Sequence, residues 1–526
     1  MLALVDANNM YVSCERVFAP RLAGRPVVVL SSNDGACIAR SNEAKELGVK
    51  MAQPWFEVRH LQKSAGLIAV SANFELYGDM SARMMAIEAR YAPRQEVYSI
   101  DESFLDFEGV HHGAHAAEDL VATGRDMRAA VLRETGLPTS VGFGSTKTLA
   151  KLANHAAKTA DRKPEVYRGA VTDLARIAQV CNFALLSKGE LEAVMARTEV
   201  GAVWGVGKRI SAKLIESGVR TVLDLVRCDA AGIRRGFSVV LEKTLLELRG
   251  TACLEFDDVQ DPPRARQTIL VSRSFGKAVP ELDGIVEAVS EFTSRAAEKL
   301  REQGSVAGAV NVFFMTSPFR ERDRPDRHHS VNVTIPLVTP TSDSRHLVAA
   351  AVSAVRSHHR TGFPYAKAGV MFSNLQPAGV RQGELDFTQA IGTTADLFAQ
   401  GGGDPGRDDP GFAGPGRDDP ESGDSTLPPP SGPHRDQAEL MKTVDALNQR
   451  FGRDSVRVGT TVIASGGDKS KSAGKAKGKG GDKSAGSGPG PGPGSVQPGG
   501  HVWSVKQELR SPRYTTRWDE IPVVRT

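Results

Sequence analysis

Two low-complexity stretches limit what this 526-residue chain can fold. Residues 401–435 are about half glycine plus proline and repeat PGRDDP at positions 405 and 415. Residues 466–500 begin GGDKSKSAGKAKGKG and continue in glycine, serine and proline. Neither stretch buries enough apolar surface to offset the entropy of ordering it, so both are expected to be disordered linkers. Folded structure is therefore expected in residues 1 to about 380, in a small helix–strand element at 436–465, and in a basic, aromatic segment at 501–526.

The linkers also account for the net charge. Residues 466–500 carry six lysines and two aspartates, which is the whole of the formal +4. The remainder is neutral, so overall charge neither supports nor excludes a nucleic-acid partner, and local patches must decide. A hydrophobic content of 40% and charged content of 24% suit a soluble globular protein. No apolar run approaches the roughly 18 residues of a membrane helix, and MLALVDANNMY lacks the basic start of a signal peptide. Five widely spaced cysteines without a CxxC argue for a reducing compartment, the cytoplasm, and against a zinc site or disulfide framework.

In the first 380 residues, LALVD reads as a buried strand ending at Asp6. PVVVLSS is a second strand, and SARMMAIEARYA has helical spacing. EVYSI and SFLDF form a candidate hairpin around Asp101 and Glu102. PTSVGFGS is a strand, with Ser145 a candidate cap for the helix TKTLAKLANHAAK. Strands and helices mix without strict βαβ alternation, which predicts an α+β core.

Adjacent carboxylates repel, and burying them is costly unless a cation compensates. Asp6, Asp101 and Glu102 all lie at strand ends. If the strands are neighbours, three oxygen donors meet at one rim, a set suited to a hard cation such as Mg²⁺. In a regular strand Asp101 and Glu102 face opposite ways, so sharing a site requires the chain to turn or bulge there. The other reading makes Asp101 and Glu102 hairpin-turn residues and Asp6 a helix cap. Tyr11, on the first turn of the helix after the first strand, reads on its own as an aromatic packed under a loop. Lys147, Lys151 and Lys158 fall near one helix face, which is compatible with a solvated basic face. GFGSTKT lacks the phosphate-loop spacing and is not read as one. VWGVGKRISAKLIESGVRTVLDL reads as helix, glycine turn, helix. There Gly205 and Gly207 would allow close approach to a phosphate, with Lys208 and Arg209 as donors; an ordinary helical hairpin remains the alternative.

LVDANNMYVSCE, ARSNEAKELGVKMAQPWF, YSIDESFLDF, GFGSTKTLAKLANHAAK, VWGVGKRISAKL and SPRYTTR occur in that order. Together they resemble the Y-family translesion DNA polymerases, of the UmuC type. The resemblance covers residues 1 to about 380, the helix near 440 and the terminal SPRYTTR; the two linkers have no counterpart in it. It implies an α+β, multidomain right-hand polymerase with a partly disordered C-terminal tail. Residues 1–10 and 76–175 would form the palm, 11–75 the fingers and 176–250 a helical helix-hairpin-helix thumb. Residues 264–378 would form an α+β little finger, and 379–400 a clamp-binding segment.

The same resemblance assigns Asp6, Asp101 and Glu102 as catalytic carboxylates holding two Mg²⁺ ions, with the Ala7 carbonyl as a further ligand. It makes Tyr11 the steric gate that excludes a 2′-hydroxyl. Lys158 and Lys45 become triphosphate contacts. Many members carry tyrosine where this chain has Asn42, and Arg40 is the candidate substitute. Arg264, Arg266, Arg273 and Lys277 would follow the template backbone without reading sequence. In QGELDF, Gln382, Leu385 and Phe387 form a Q-x-x-L-x-F pattern that would dock an extended peptide into a sliding clamp. The implied partners are primer–template DNA, deoxynucleoside triphosphates, the clamp, a UmuD′-like dimer and a RecA filament. The implied setting is a bacterial SOS-type response in the cytoplasm, associated with the nucleoid. Two rivals stand beside this reading: a non-catalytic polymerase-like scaffold, and another palm-type nucleotidyl enzyme such as a cyclase.

Overall fold

Apolar alternation over LALVDA gives the first strand, β1 (Leu2–Ala7), followed by helix α1 (Met10–Phe18). The computed structural model describes residues 1–110, 113, 115–259, 265–317, 328–379, 438–451, 455–456, 505, 507–517 and 520. The chain divides into two compact units, one of residues 1–264 together with the C-terminal segment, the other beginning at Ala265.

In the first unit, α1 leads into β2 (Val27–Leu30), β3 (Cys37–Arg40), α2 (Asn42–Glu46), α3 (Trp55–Val58), α4 (Leu61–Ala65) and β4 (Ile68–Ser71). Then come α5 (Phe74–Glu88), β5 (Arg94–Val97), β6 (Glu102–Asp106), α6 (Ala116–Thr135), β7 (Thr139–Gly144), α7 (Lys147–Arg162) and β8 (Val180–Asn182). Among the described residues, one sheet has the order β5-β6-β1-β7-β8 and a smaller one the order β3-β2-β4. The smaller sheet is inserted between β1 and β5. The larger sheet runs on to β8, past residue 175 where the sequence reading ends the palm.

Alternation along β1 decides what each face of the larger sheet carries. Ala3 and Val5 pack with Leu120, Val121 and Met127 of α6. Leu4 and its cross-strand partner Phe104 pack with Ala150 of α7. Both faces are covered, so the strands read as nearly continuous apolar runs. Asp6 shares parity with Leu4 and so belongs to the face under α7.

Two glycines let α7 lie very close to that face. A Cβ on Gly142 would come within 2.0 Å of the Asn154 backbone nitrogen, and one on Gly144 within 2.5 Å of the Ala150 nitrogen. This is why GFG precedes the helix. The cap of α7 is Thr146, whose side chain accepts from the Leu149 amide, not Ser145 as the sequence suggested. Thr146 is fully buried, and its hydroxyl also donates to the Glu247 carbonyl.

A helical region follows: α8 (Lys188–Arg197), α9 (Lys208–Glu216), α10 (Val222–Arg227), α11 (Ala230–Gly236) and α12 (Val239–Leu248). Its core gathers Leu214, Val222, Leu225, Leu241 and Leu245.

The second unit contains β9 (Ile269–Val279), α13 (Leu282–Glu302), β10 (Ser305–Thr316), β11 (Ser330–Thr341), α14 (Ser344–His358) and β12 (Tyr365–Pro377). Its antiparallel sheet has the order β11-β10-β12-β9, and α13 and α14 bury their apolar stripes on it. The helix expected near residue 440 is α15 (Ala438–Phe451), held by a bidentate ion pair from Arg301 to Asp445 at 2.6 and 2.7 Å. The strand expected in VRVGTTVI lies outside the described residues except for Val456. Among the described residues no helix is long and apolar enough to cross a membrane.

Candidate active site

Asp6 on β1 stands directly opposite Glu102, the first residue of β6. Opposed residues of an antiparallel pair share a face with Cβ atoms roughly 5 Å apart, so these two carboxylates are neighbours by register. Asp101 is one residue before β6, in the bend that joins it to β5. Strand alternation therefore does not govern its side chain. Its carbonyl accepts from the Ala7 amide at 2.9 Å, and its Oδ1 accepts from Ser99 Oγ at 2.7 Å. Burial pushes the Asp6 carboxyl up to about 6; Lys158 opposes this, and the charges of Glu102 and Asp101 add to it.

Among the described residues no group of three His, Cys, Asp or Glu side chains is arranged to hold a metal ion as it stands. Helix α7 engages the carboxylates instead. Lys158 Nζ lies 2.5 Å from Asp6 Oδ2, and Lys151 Nζ lies 2.8 and 2.9 Å from the two Glu102 oxygens. Lys147, nearer the start of the helix, pairs with buried Glu96 of β5. The three lysines do fall near one helix face, but that face is turned to acids on the sheet and not to solvent. Lys151 also lies against two aromatic rings, 4.6 Å from that of Tyr98 and 5.1 Å from that of Trp204. A cleft of about 250 Å³ opens here, lined among others by Asp6, Glu102, Lys151, Lys158 and Trp204. The donor set suits a hard divalent cation, since it is all oxygen and its negative charges already draw two ammonium groups.

A cationic cluster adjoins the acids. Burial, then Arg162, Arg40 and Lys158, push the Lys45 ammonium down to about 8. Arg40 is likewise held below its ordinary value, first by burial and also by Arg162. Its guanidinium donates to the Val49 carbonyl at 2.8 Å, while its buried Nε has no partner among the described residues. Lys45 donates to Asn9 Oδ1 at 2.5 Å, and Asn9 Nδ2 donates to Asn42 Oδ1 at 3.0 Å. Asn9 takes a left-handed backbone, φ 51°, to reach both. Cations that weaken one another in this way are relieved by an anion.

Tyr11, second residue of α1, stacks on Tyr77 at 4.4 Å between centroids and meets Phe74 edge-on at 6.0 Å. Its hydroxyl is pushed up by burial and then by the charge of Asp101. The packing expected of a lone aromatic is what these rings show.

A family profile described as "impB/mucB/samB family" matches residues 5–155, and "impB/mucB/samB family C-terminal domain" matches 266–385. A "Domain of unknown function (DUF4113)" matches 438–466 and 491–524. The chain is 37% identical to Protein UmuC of Salmonella typhimurium, over 99% of both chains. It is 35% identical to Protein ImpB of Salmonella typhimurium over the whole of both. The chain belongs to the UmuC-type Y-family DNA polymerases. In fold it is similar to a solved Y-family DNA polymerase chimera, with TM-score 0.53 and 18% identity, over 71% of this chain and 98% of that one.

In this Y-family polymerase Asp6, Glu102, Lys151 and Lys158 line one cleft of the first unit, while Tyr11 packs with Tyr77 and Phe74, and Arg40 and Lys45 belong to the cationic cluster described above. Gly205 and Gly207 lie beside Trp204, before α9. Gly205 adopts φ 87°, and exposed Gly207 caps α9 without a side chain. Lys208 and Arg209 are exposed on the first turn of α9, an arrangement that suits a phosphate. In the second unit Arg266, Arg273 and Lys277 are exposed; Arg273 and Lys277 lie four apart on β9. Arg264, Gln382, Leu385 and Phe387 lie outside the described residues, as do both linkers.

The sequence reading passes over three residues that neighbour these side chains. Arg162 falls one helical turn after Lys158, a spacing that would have flagged it. Asn9 gave no signal beyond its place in DANN. Trp204 stands out in the sequence only as part of the glycine turn.

Proposed function

We propose that this polymerase carries out template-directed nucleotidyl transfer at the β1–β6 carboxylates and uses it to extend primers across damaged DNA. The reading is supported above all by opposed charge at close range: Asp6 and Glu102 set opposite each other by strand register with Asp101 in the adjoining bend, and a cationic cluster of half-buried Arg40, Lys45 and Lys158 with exposed Arg162. The primer 3′-hydroxyl attacks the α-phosphorus of the incoming nucleotide. A new P–O bond forms there as the bond to the β-phosphate oxygen breaks, and pyrophosphate leaves.

Two Mg²⁺ ions bound by Asp6, Asp101, Glu102 and the Ala7 carbonyl would supply positive charge to the entering and leaving oxygens. Lys45, Arg40 and Arg162 hold the triphosphate, relieving their mutual repulsion. Lys158 stands between the two sets and can turn from Asp6 to a phosphate oxygen. Tyr11, braced by Tyr77, lies under the sugar and rejects a 2′-hydroxyl by shape. Lys208 and Arg209, with Arg266, Arg273 and Lys277, grip DNA backbone without reading bases, which suits a damaged template.

The Q-x-x-L-x-F pattern at 382–387 supports docking to a sliding clamp. Work with a UmuD′-like dimer and a RecA filament, in an SOS-type response, follows from family membership alone. The intact acids and the paired lysines speak against a scaffold without catalysis. The test is extension across an abasic site by purified protein, with and without clamp and accessory subunits. Insertion opposite the lesion is expected; failure to extend even an undamaged template under every combination would refute the reading.

A further inference from the structure

Residues 507–517 carry SPRYTTR and lie within the region matched only by a domain of unknown function. They run across the end of β4 and the start of α5. The Ser71 amide donates to the Leu509 carbonyl at 3.1 Å, the Leu509 amide donates to Ser71 Oγ at 2.9 Å, and Ser71 and Arg510 form a parallel bridge. Asn73, the cap of α5, donates through Nδ2 to the carbonyls of Ser511 and Pro512 and to Ser511 Oγ, at 3.0 to 3.1 Å. Tyr514 stacks on Phe18 of α1 with centroids 4.7 Å apart. The segment thus holds together the two helices that carry Tyr11 and its stacking partner.

One contact reaches further. Ser511 Oγ donates to Glu15 Oε1 at 2.9 Å, and the Tyr77 hydroxyl donates to the same oxygen at 2.7 Å. Glu15 is 2% exposed and Tyr77 fully buried. A buried carboxylate without a cation needs such donors, so removing one leaves Glu15 underserved and free to shift. Tyr77 in turn is the ring on which Tyr11 stacks.

We propose that residues 507–517 are a positioning strap for the sugar gate: through Ser511 and Glu15 they fix Tyr77, and Tyr77 fixes the ring of Tyr11. The proposal rests on Tyr11 being the gate. Ser511 touches no substrate; it acts through the stacked pair.

The experiment compares single insertions of a deoxynucleotide and the matching ribonucleotide by the full chain and by Ser511→Ala, Ser511→Thr, Tyr514→Ala and Tyr11→Ala. Ser511→Ala should lower discrimination by roughly fivefold to tenfold, about the factor one ordinary hydrogen bond is worth. The change should appear as a lower ribonucleotide KM, with deoxynucleotide insertion nearly unchanged. Ser511→Thr should restore discrimination, and Tyr514→Ala, which loosens the strap at Phe18, should give a smaller loss. Tyr514→Ala also serves as the second variant should Ser511→Ala fail to fold. Wild-type discrimination in both strap variants, beside its collapse in Tyr11→Ala, would overturn the strap and spare the gate. So would a parallel fall in both activities, which a merely structural strap would give. Unchanged discrimination in Tyr11→Ala itself would overturn the gate reading.

Discussion

The Lys158 ammonium is bonded to the Asp6 carboxylate, Nζ to Oδ2, at 2.5 Å. A candidate phosphate ligand and a candidate metal ligand therefore neutralise each other. Asp6 sits among burial and two like charges, and Lys158 is the neighbour that opposes them.

Removing that cation should be felt at Asp6. Lys158→Met should destabilise the metal-free chain by about 1–3 kcal/mol in urea unfolding at pH 7, and Asp6→Asn in the same background should recover much of it. Added Mg²⁺ should raise the melting temperature of Lys158→Met more than that of the wild type. Additive single and double variants would remove the coupling.

Lys147 and Glu96 form the buried counterpart, with side chains 5% and 12% exposed. Breaking a buried pair strands a charge, so Lys147→Met alone should cost about 3–5 kcal/mol. Lys147→Met with Glu96→Leu should cost much less. A single-variant loss under about 1 kcal/mol, the level of an exposed pair, would show that the pair is solvated.

Gly142 tests the close approach of α7. A Cβ there meets backbone atoms of Asn154 and Ala150 at 2.0 to 2.6 Å, and backbone cannot turn aside as a side-chain end can. Gly142→Ala should cost about 3 kcal/mol or more and lower primer extension, because Lys151 and Lys158 move with the helix. A variant of native melting temperature and normal extension would contradict the packing account.

Glu88 gives a pH dependence. It is buried against Ser103, whose hydroxyl donates to Oε2, and burial raises its carboxyl from 4.5 to about 8. Because the folded value lies above the unfolded one, its contribution is fully present below about pH 4.5 and is lost as pH rises through 8. Asp6, raised to about 6, acts in the same direction at lower pH. Between pH 6 and 8 the wild type should lose stability while Glu88→Gln shows a much flatter profile, read as urea midpoints. Parallel profiles would refute the assignment.

How much of this was legible follows from how far apart the interacting residues lie. The β5–β6 hairpin, β1 and α7 are each written in local periodicity, and Asp6 and Glu102 follow once those strands pair. The bend at Asp101 follows from the two adjacent acids, since regular alternation turns their side chains to opposite faces. Periodicity placed the three lysines near one helix face, yet their partners depend on sheet register and on two glycines whose role is close packing. Ser511 reaches Glu15 across 496 residues of chain and Asn73 across 438, and no local pattern encodes that. Thr146 displaced Ser145 as the cap because its hydroxyl also serves the Glu247 carbonyl of α12.

The most direct measurement is primer extension by Asp101→Asn, paired with its melting curve. Asp101 lies in a bend, and its carbonyl, not its side chain, ties it to Ala7. The account predicts a native-like melting temperature and extension reduced by at least about a hundredfold, the scale expected when a charge-stabilising group is lost. Normal extension by a natively folded Asp101→Asn would contradict it.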